Sequence, residues 1–251
     1  MSTLLAVEGL GKQFGGLKAV DGLSFAVAEH EILGLIGPNG AGKSTVFNLI
    51  NGVFAPDSGR IGFAGADITG AAPHRVAMRG LARTHQIVQP FMTMTVLENC
   101  TVGACFGRKN LPLREARVTA RETAEFVGLG DRLDMPASQL TIAGKKRLEL
   151  ARALSAQPAL VLLDEVLAGL NPTEVDGMIR IIRAIRERGI AILIIEHLMQ
   201  AIMSLSDRIV VLNSGRKLAE GAPAEVARNP QVIEAYLGNP DLAKELRSRR
   251  S

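Results

Sequence analysis

The stretch Ile32-Leu33-Gly34-Leu35-Ile36-Gly37-Pro38-Asn39-Gly40-Ala41-Gly42-Lys43-Ser44-Thr45-Val46-Phe47 decides the fold. The apolar run Ile32 to Ile36 reads as a strand buried on both faces. It ends in the spacing G-x-x-x-x-G-K-[ST] from Gly37 to Ser44, and a helical pattern begins at Lys43 and continues to Ile50. Strand, glycine loop and helix in that order are the P-loop arrangement.

The chemistry follows from the residue types. Glycines let backbone N–H groups turn inward and cradle phosphates at a helix N-terminus. Lys43 then reaches the β- and γ-phosphates, and the Ser44 hydroxyl ligates Mg²⁺. A second apolar run, Ala159 to Leu163, ends in Asp164-Glu165, and a third, Ile190 to Ile195, ends in Glu196-His197. Asp164 suits Mg²⁺, Glu165 the orientation or deprotonation of an attacking water, and His197 contact with a γ-phosphate. In open α/β sheets ligands bind beyond the carboxyl ends of strands, and all three runs place polar residues there. His30, His74 and His85 read as surface or packing residues.

Around this core, Leu4 to Glu8 and Leu23 to Val27 read as short strands with glycine-marked turns between them. From Pro90 to Gln157 the texture becomes helical, with Leu113 to Phe126 one helix and Lys145 to Leu154 another whose apolar stripe is Leu148, Ala151 and Leu154-Ser155. Arg216 to Glu220 reads as a last strand, followed by a helical tail with a basic, frayed end from Arg247 to Ser251. The fold expected is an α/β P-loop NTPase (RecA-like) core with an antiparallel β subdomain and an inserted α-helical subdomain. The division expected is core 1–89 and 158–220, helical lobe 90–157 and tail 221–251.

Composition narrows the function. Of 251 residues 47% are hydrophobic, enough for a substantial core. Aromatics are 4% with no Trp, too few for a base-stacking platform, and 29 basic against 25 acidic residues make no case for nucleic acid. The sequence pI near 9.3 accords with an anionic ligand, and a mean hydropathy of +0.19 points to a protein partner. The two cysteines, Cys100 and Cys105, read as thiols in a reducing compartment. No signal peptide is visible and no apolar run approaches the ~18 residues of a membrane span, so a cytoplasmic protein is expected.

These motifs resemble the ATP-binding-cassette (ABC) ATPases, the nucleotide-binding subunits of membrane transporters, from Phe14 to Leu237. Gly37 to Thr45 is similar to Walker A and Leu160 to Glu165 to Walker B. The resemblance implies that Gln86 is the Q-loop glutamine, contacting Mg²⁺ and water, that Ala168-Gly169-Leu170-Asn171 is the D-loop, and that His197 is the switch histidine. It implies nucleotide contacts for Phe14, Val20, Gly37, Asn39, Gly40, Ala41, Gly42, Lys43, Ser44, Thr45 and Asn171, with Phe14 either stacked on adenine or a core residue. The signature loop, normally Leu-Ser-Gly-Gly-Gln, corresponds to Leu140-Thr141-Ile142-Ala143-Gly144. Thr141 keeps the hydroxyl, and Ala143 adds a methyl where a glycine approaches the γ-phosphate of a facing subunit. Lys145 and Lys146 either attract nucleotide charge or are solvated.

The subfamily resemblance is to ATPase subunits of branched-chain amino-acid importers. It rests on Phe14 to Val20, Ala82 to Gln86, Met94 to Asn99, Ala168 to Glu174 and Val232 to Gly238, with His85 standing in place of Phe and Val166 in place of Pro. It implies ATP and Mg²⁺, catalysis by Glu165, His197, Lys43 and Gln86, and metal contacts by Ser44, Gln86 and Asp164. It also implies a second ATPase subunit in a homo- or heterodimer, integral membrane permease subunits, an indirect solute-binding protein, and a place on the inner face of the cell membrane. Ile87 to Val96 either docks a permease helix or packs inside the helical lobe. A weakly hydrolysing partner of an active cassette, or a lipid-export ATPase, is the alternative.

Overall fold

The computed structural model describes residues 2–236. The tail from Leu237 on, including the expected basic end, lies outside the described residues. In chain order the elements are β1 (Thr3–Phe14), β2 (Leu17–Ala28), β3 (Ile32–Ile36), α1 (Lys43–Ile50), β4 (Ser58–Phe63), β5 (Ala66–Asp67), α2 (Pro73–Met78), β6 (Leu81–Arg83), α3 (Val96–Cys105), α4 (Leu113–Phe126), α5 (Ile142–Ser155), β7 (Leu160–Asp164), α6 (Pro172–Glu187), β8 (Ala191–Ile195), α7 (Met199–Leu205), β9 (Arg208–Asn213), β10 (Arg216–Gly221), α8 (Pro223–Arg228) and α9 (Pro230–Tyr236). They form two compact units, one of residues 2–72 with 191–236 and the other Pro73–Ile190.

In the first unit β2, β1, β4 and β5 make an antiparallel sheet in that order, and β3 lies between β8 and β9, parallel to both. β10 pairs antiparallel with β9 at the edge. All residues of β3 and β8 are buried, as continuous apolar runs flanked by neighbours on both sides require. β1 and β2 are twice the length expected. Gly9 (φ 58°) and Gly22 (φ 67°) do not end strands. They sit at register shifts inside them, each where one strand carries an extra residue against its partner. The bulge at Gly9 resets the alternation so that Val7 and Leu10 both point inward.

The second unit holds β6 and β7, parallel with Arg83 opposite Leu162, and four longer helices. α4 spans Leu113–Phe126 as the sequence pattern predicts, and buries a stripe of small residues, Ala116, Ala120, Thr123 and Ala124. α3 is capped by a reciprocal pair, with Thr95 Oγ1 accepting from Glu98 N and Glu98 Oε2 accepting from Thr95 N. α6 repeats the device with Asn171 and Glu174, has Pro172 at its start, and buries Met178, Ile182 and Ile185 at helical spacing. α5 begins at Ile142, one turn earlier than the charge pattern suggests. The Thr141 hydroxyl accepts from Gly144 N at 3.1 Å and starts the helix there. Its stripe is as expected: Leu148, Ala151, Leu154 and Ser155 are buried.

Candidate nucleotide and hydrolysis site

The first unit supplies a phosphate cradle. β3 ends at Ile36, the glycine loop turns, and α1 starts behind Gly42, which has φ 103° and no side chain to cap the helix. A Cβ at Gly42 meets the Ala19 carbonyl oxygen at 2.3 Å, so the backbone approach demands glycine. With no side-chain cap and no acidic residue in its first turn, α1 offers its N–H groups and positive dipole end to an anion. Lys43 is 6% exposed, and its Nζ donates to the carbonyls of Gly37 at 2.7 Å and Pro38 at 3.0 Å. The ammonium is thus already placed over the loop.

The loop faces a cleft of about 490 Å³ lined by Asn39, Gly40, Ala41, Gly42, Lys43, Ser44 and Thr45, with Phe14, Leu17 and Ser214 at its other walls. That volume suits a ligand of nucleotide size. Phe14 is not a core residue. It is 43% exposed and packs edge-to-face on Phe54 at 5.2 Å, with Lys12 Nζ 5.7 Å from its centroid. Val20 differs from expectation: it is 1% exposed in the core, and its neighbour Ala19 lines the cleft. His197 is exposed just past the end of β8, and the parallel pairing of β3 with β8 brings it out on the same sheet edge as the glycine loop.

The second unit supplies the acidic pair. β7 delivers Asp164, 4% exposed, whose Oδ2 accepts from Arg83 Nη2 at 2.8 Å. The Asp164 N–H donates to Thr84 Oγ1 at 3.2 Å. Glu165 follows with φ 50°, a left-handed backbone rare for any residue but glycine and typical of functional turns. Gln86 Nε2 donates to Glu165 Oε2 at 2.7 Å, so Gln86 and the acid after β7 meet directly. Lys146 is not solvated. It is 8% exposed, and its Nζ donates to the Glu165 carbonyl at 2.8 Å.

Three residues to which the sequence assigned no role organise this unit. Arg83 pairs Asp164. Glu149, 2% exposed, accepts from His85 N at 2.5 Å. Asn99, fully buried, accepts from Phe91 N at 2.8 Å and donates to the carbonyls of Phe91 and Thr95. A charge between two buried leucines, as in Leu148-Glu149-Leu150, is the signal that could have found Glu149. Burial, with the Arg83 and Arg152 guanidiniums, holds the His85 imidazole below its usual range. Burial also pushes the Cys100 thiol up to about 12, which leaves it unreactive.

Elsewhere the expected residues take local roles. Thr141 caps α5, and Ile142, Ala143 and Gly144 form its first turn, so the signature segment is a helix start with Ile142 exposed. Asn171 caps α6, accepting from Glu174 N at 3.0 Å. In the stretch after Gln86, Ile87 is 74% exposed, Phe91 47% and Met92 43%, so these side chains do not pack inside the helical lobe.

As to cofactor chemistry, Ser44 in the first unit, and Gln86 and Asp164 in the second, each present an oxygen of the kind that suits Mg²⁺. Among the described residues no three His, Cys, Asp or Glu side chains gather into a metal cage. Mg²⁺ is held through one or two carboxylates and substrate phosphates and needs none. No helix among the described residues is long and apolar enough to cross a membrane.

Comparison with known proteins agrees with this geometry. Residues 20–168 match the ABC transporter family, and residues 216–241 match the family described as branched-chain amino acid ATP-binding cassette transporter. The chain is 42% identical over 249 residues to the high-affinity branched-chain amino acid transport ATP-binding protein LivG of Salmonella typhimurium, covering 94% of this chain and 98% of that one. It is 40% identical over 252 residues to the corresponding protein BraF of Pseudomonas aeruginosa, with the same coverage. A crystal structure of the ADP conformation of an ATP-binding cassette of an ABC transporter superposes with a TM-score of 0.87, at 34% identity, covering 95% of this chain and all of that one. Joined to the uncapped glycine loop and the Gln86–Glu165 pair, these matches make the chain a member of the ABC transporter family, one of its ATP-hydrolysing nucleotide-binding cassettes.

Proposed function

We propose that this cassette powers an importer of branched-chain amino acids. The observation that carries the reading is likeness along the whole chain to LivG and BraF, with the separate match at residues 216–241. In this reading the α1 N-terminus and Lys43 bind the phosphates of ATP, Asn39 to Thr45 line the phosphate cradle, and Phe14 stacks on the adenine. Ser44, Asp164 and Gln86 hold Mg²⁺, which when bound spreads the charge of the transferred phosphoryl group. Glu165 takes the proton of the attacking water, Gln86 sets its rotamer, and His197 senses the γ-phosphate. Arg83 pairs with the buried Asp164 and fixes its orientation.

The lobe 90–157 and the tail 221–251 flank a catalytic core of 1–89 and 158–220. Thr141 and Ala143 cap the γ-phosphate bound by a second ATPase subunit, and Asn171 adds a contact across the same closure. Ile87 to Val96 receives a helix of the permease, which places the chain on the inner face of the membrane beneath a solute-binding protein.

Uptake of labelled leucine tests the reading. In cells lacking their own LivG, this chain restores uptake and Glu165→Gln does not. Absence of uptake together with robust ATPase of the purified chain overturns the amino-acid assignment. The alternative, a weakly hydrolysing partner subunit, rests on Ala143 and is distinguished by negligible steady-state ATPase until a second cassette is added.

A further inference from the structure

α5 carries three charged side chains up one side, three residues apart, at Lys146, Glu149 and Arg152. Each grips a different backbone in the second unit. Lys146 Nζ holds the Glu165 carbonyl at 2.8 Å. Glu149 accepts from the His85 N–H at 2.5 Å. Arg152 Nη1 donates to the Gln89 carbonyl at 2.9 Å, and its guanidinium lies 5.5 Å from the centre of the Phe91 ring. Gln86 sits between the two backbone positions so held, and its own side chain returns to Glu165. The contacts therefore close a ring from Glu165 through Gln86, the flanking backbone and α5 back to Glu165.

We propose that Lys146, Glu149 and Arg152 are positioning residues that make α5 the frame on which Gln86 and Glu165 are set, and through which a displacement of the exposed segment at Phe91 reaches the hydrolytic pair. Each link is charge-assisted, and those of Lys146 and Glu149 are partly buried, which makes them short and directional. The backbone at Glu165 is strained and needs external holding. The segment after Gln86 exposes Ile87, Phe91 and Met92, and its backbone is held by these bonds together with those of Asn99 to Phe91. Pulling Gln89 or Phe91 moves the Arg152 and Glu149 ends of the frame, and with them the His85–Gln86 backbone. The inference rests on reading Gln86 and Glu165 as the water-handling pair.

Two variants of the full chain test it, Glu149→Ala and Arg152→Met, the second keeping the aliphatic stem. Hydrogen exchange is followed at residues 85–91, with kcat and KM for ATP measured in parallel. Both variants are expected to speed exchange at the His85 and Gln89 amides and to lower kcat about tenfold, with KM within about twofold. Arg152→Lys, which keeps a cation and a donor, is expected to regain activity. Unchanged exchange in both variants overturns the proposal, as does a rise in KM in step with the loss of kcat. A wild-type chain without ATPase activity refutes the water-handling reading, while the exchange data still decide whether the frame exists.

Discussion

Lys146 donates to the backbone carbonyl of Glu165 at 2.8 Å, across 19 positions of sequence, and Glu165 holds a left-handed φ of 50°. That backbone well costs about 1–2 kcal/mol for a residue with a Cβ. The lysine secures the carbonyl side of the turn while Gln86 secures the side chain. The position of the Glu165 carboxylate is thus set from α5 and Gln86 together.

Lys146→Met removes the donor and leaves a poorly satisfied carbonyl. The loss of stability is expected to be about 1–3 kcal/mol by urea denaturation. ATP affinity, measured by equilibrium binding, stays within about twofold, because the phosphate cradle belongs to residues 37–45, while kcat falls about tenfold.

Two glycines of the loop separate backbone strain from steric approach. Gly40 has φ 78° and open space where a Cβ would go, so Gly40→Ala is expected to cost about 1–2 kcal/mol. Gly42 adds a carbonyl 2.3 Å from that Cβ, so Gly42→Ala is expected to cost about 3 kcal/mol or more and to abolish nucleotide binding. Urea midpoints and a fluorescent ATP analogue measure both.

Burial raises the Glu149 carboxyl above its ordinary value of 4.5, outweighing the lowering hydrogen bond from His85 and the charges of Arg152 and Lys146. Its Oε2 has no hydrogen-bond partner among the described residues. Below 4.5 the group is neutral folded and unfolded, and no burial penalty applies. As pH rises through the raised folded value, the folded state takes on the penalty of a buried charge. Stability relative to Glu149→Gln is therefore expected to decline with rising pH across that window, as followed by thermal denaturation. A flat difference contradicts the raised value.

Met92 is 43% exposed, and its backbone carbonyl accepts from Ser138 N at 3.1 Å. Met92→Asp places a charge on the segment assigned to permease docking without touching the hydrolytic pair. Basal ATPase of the purified chain stays at the wild-type level, while leucine uptake by the assembled transporter falls at least about tenfold.

Glu165→Gln retains the shape and the Gln86 partner but cannot take a proton. On a sizing column it is expected to shift to a dimer with Mg-ATP and remain a monomer without it. A nucleotide-bound monomer shows that the α5 start, with Ala143, needs a different partner subunit.

The sequence by itself determined what is local. Ile32 to Ile36 is apolar throughout and must be covered on both faces. Gly42-Lys43-Ser44 must turn into a helix with its N–H groups free for an anion. The Leu113–Phe126 helix follows from its own periodicity. Asp164 and Glu165 were legible too, because they directly follow the apolar run of a strand, whereas Gln86 was legible only through the family resemblance. Only the tertiary structure decided the long-range pairs: Arg83 on Asp164, Glu149 on the His85 backbone, Lys146 on the Glu165 carbonyl, and the inward setting of Leu10 through the bulge at Gly9. A lysine or glutamate on a helix suits water equally well, so its residue type does not reveal a buried partner. Its role depends on which backbone the fold brings within 3 Å, and that is settled when the core packs.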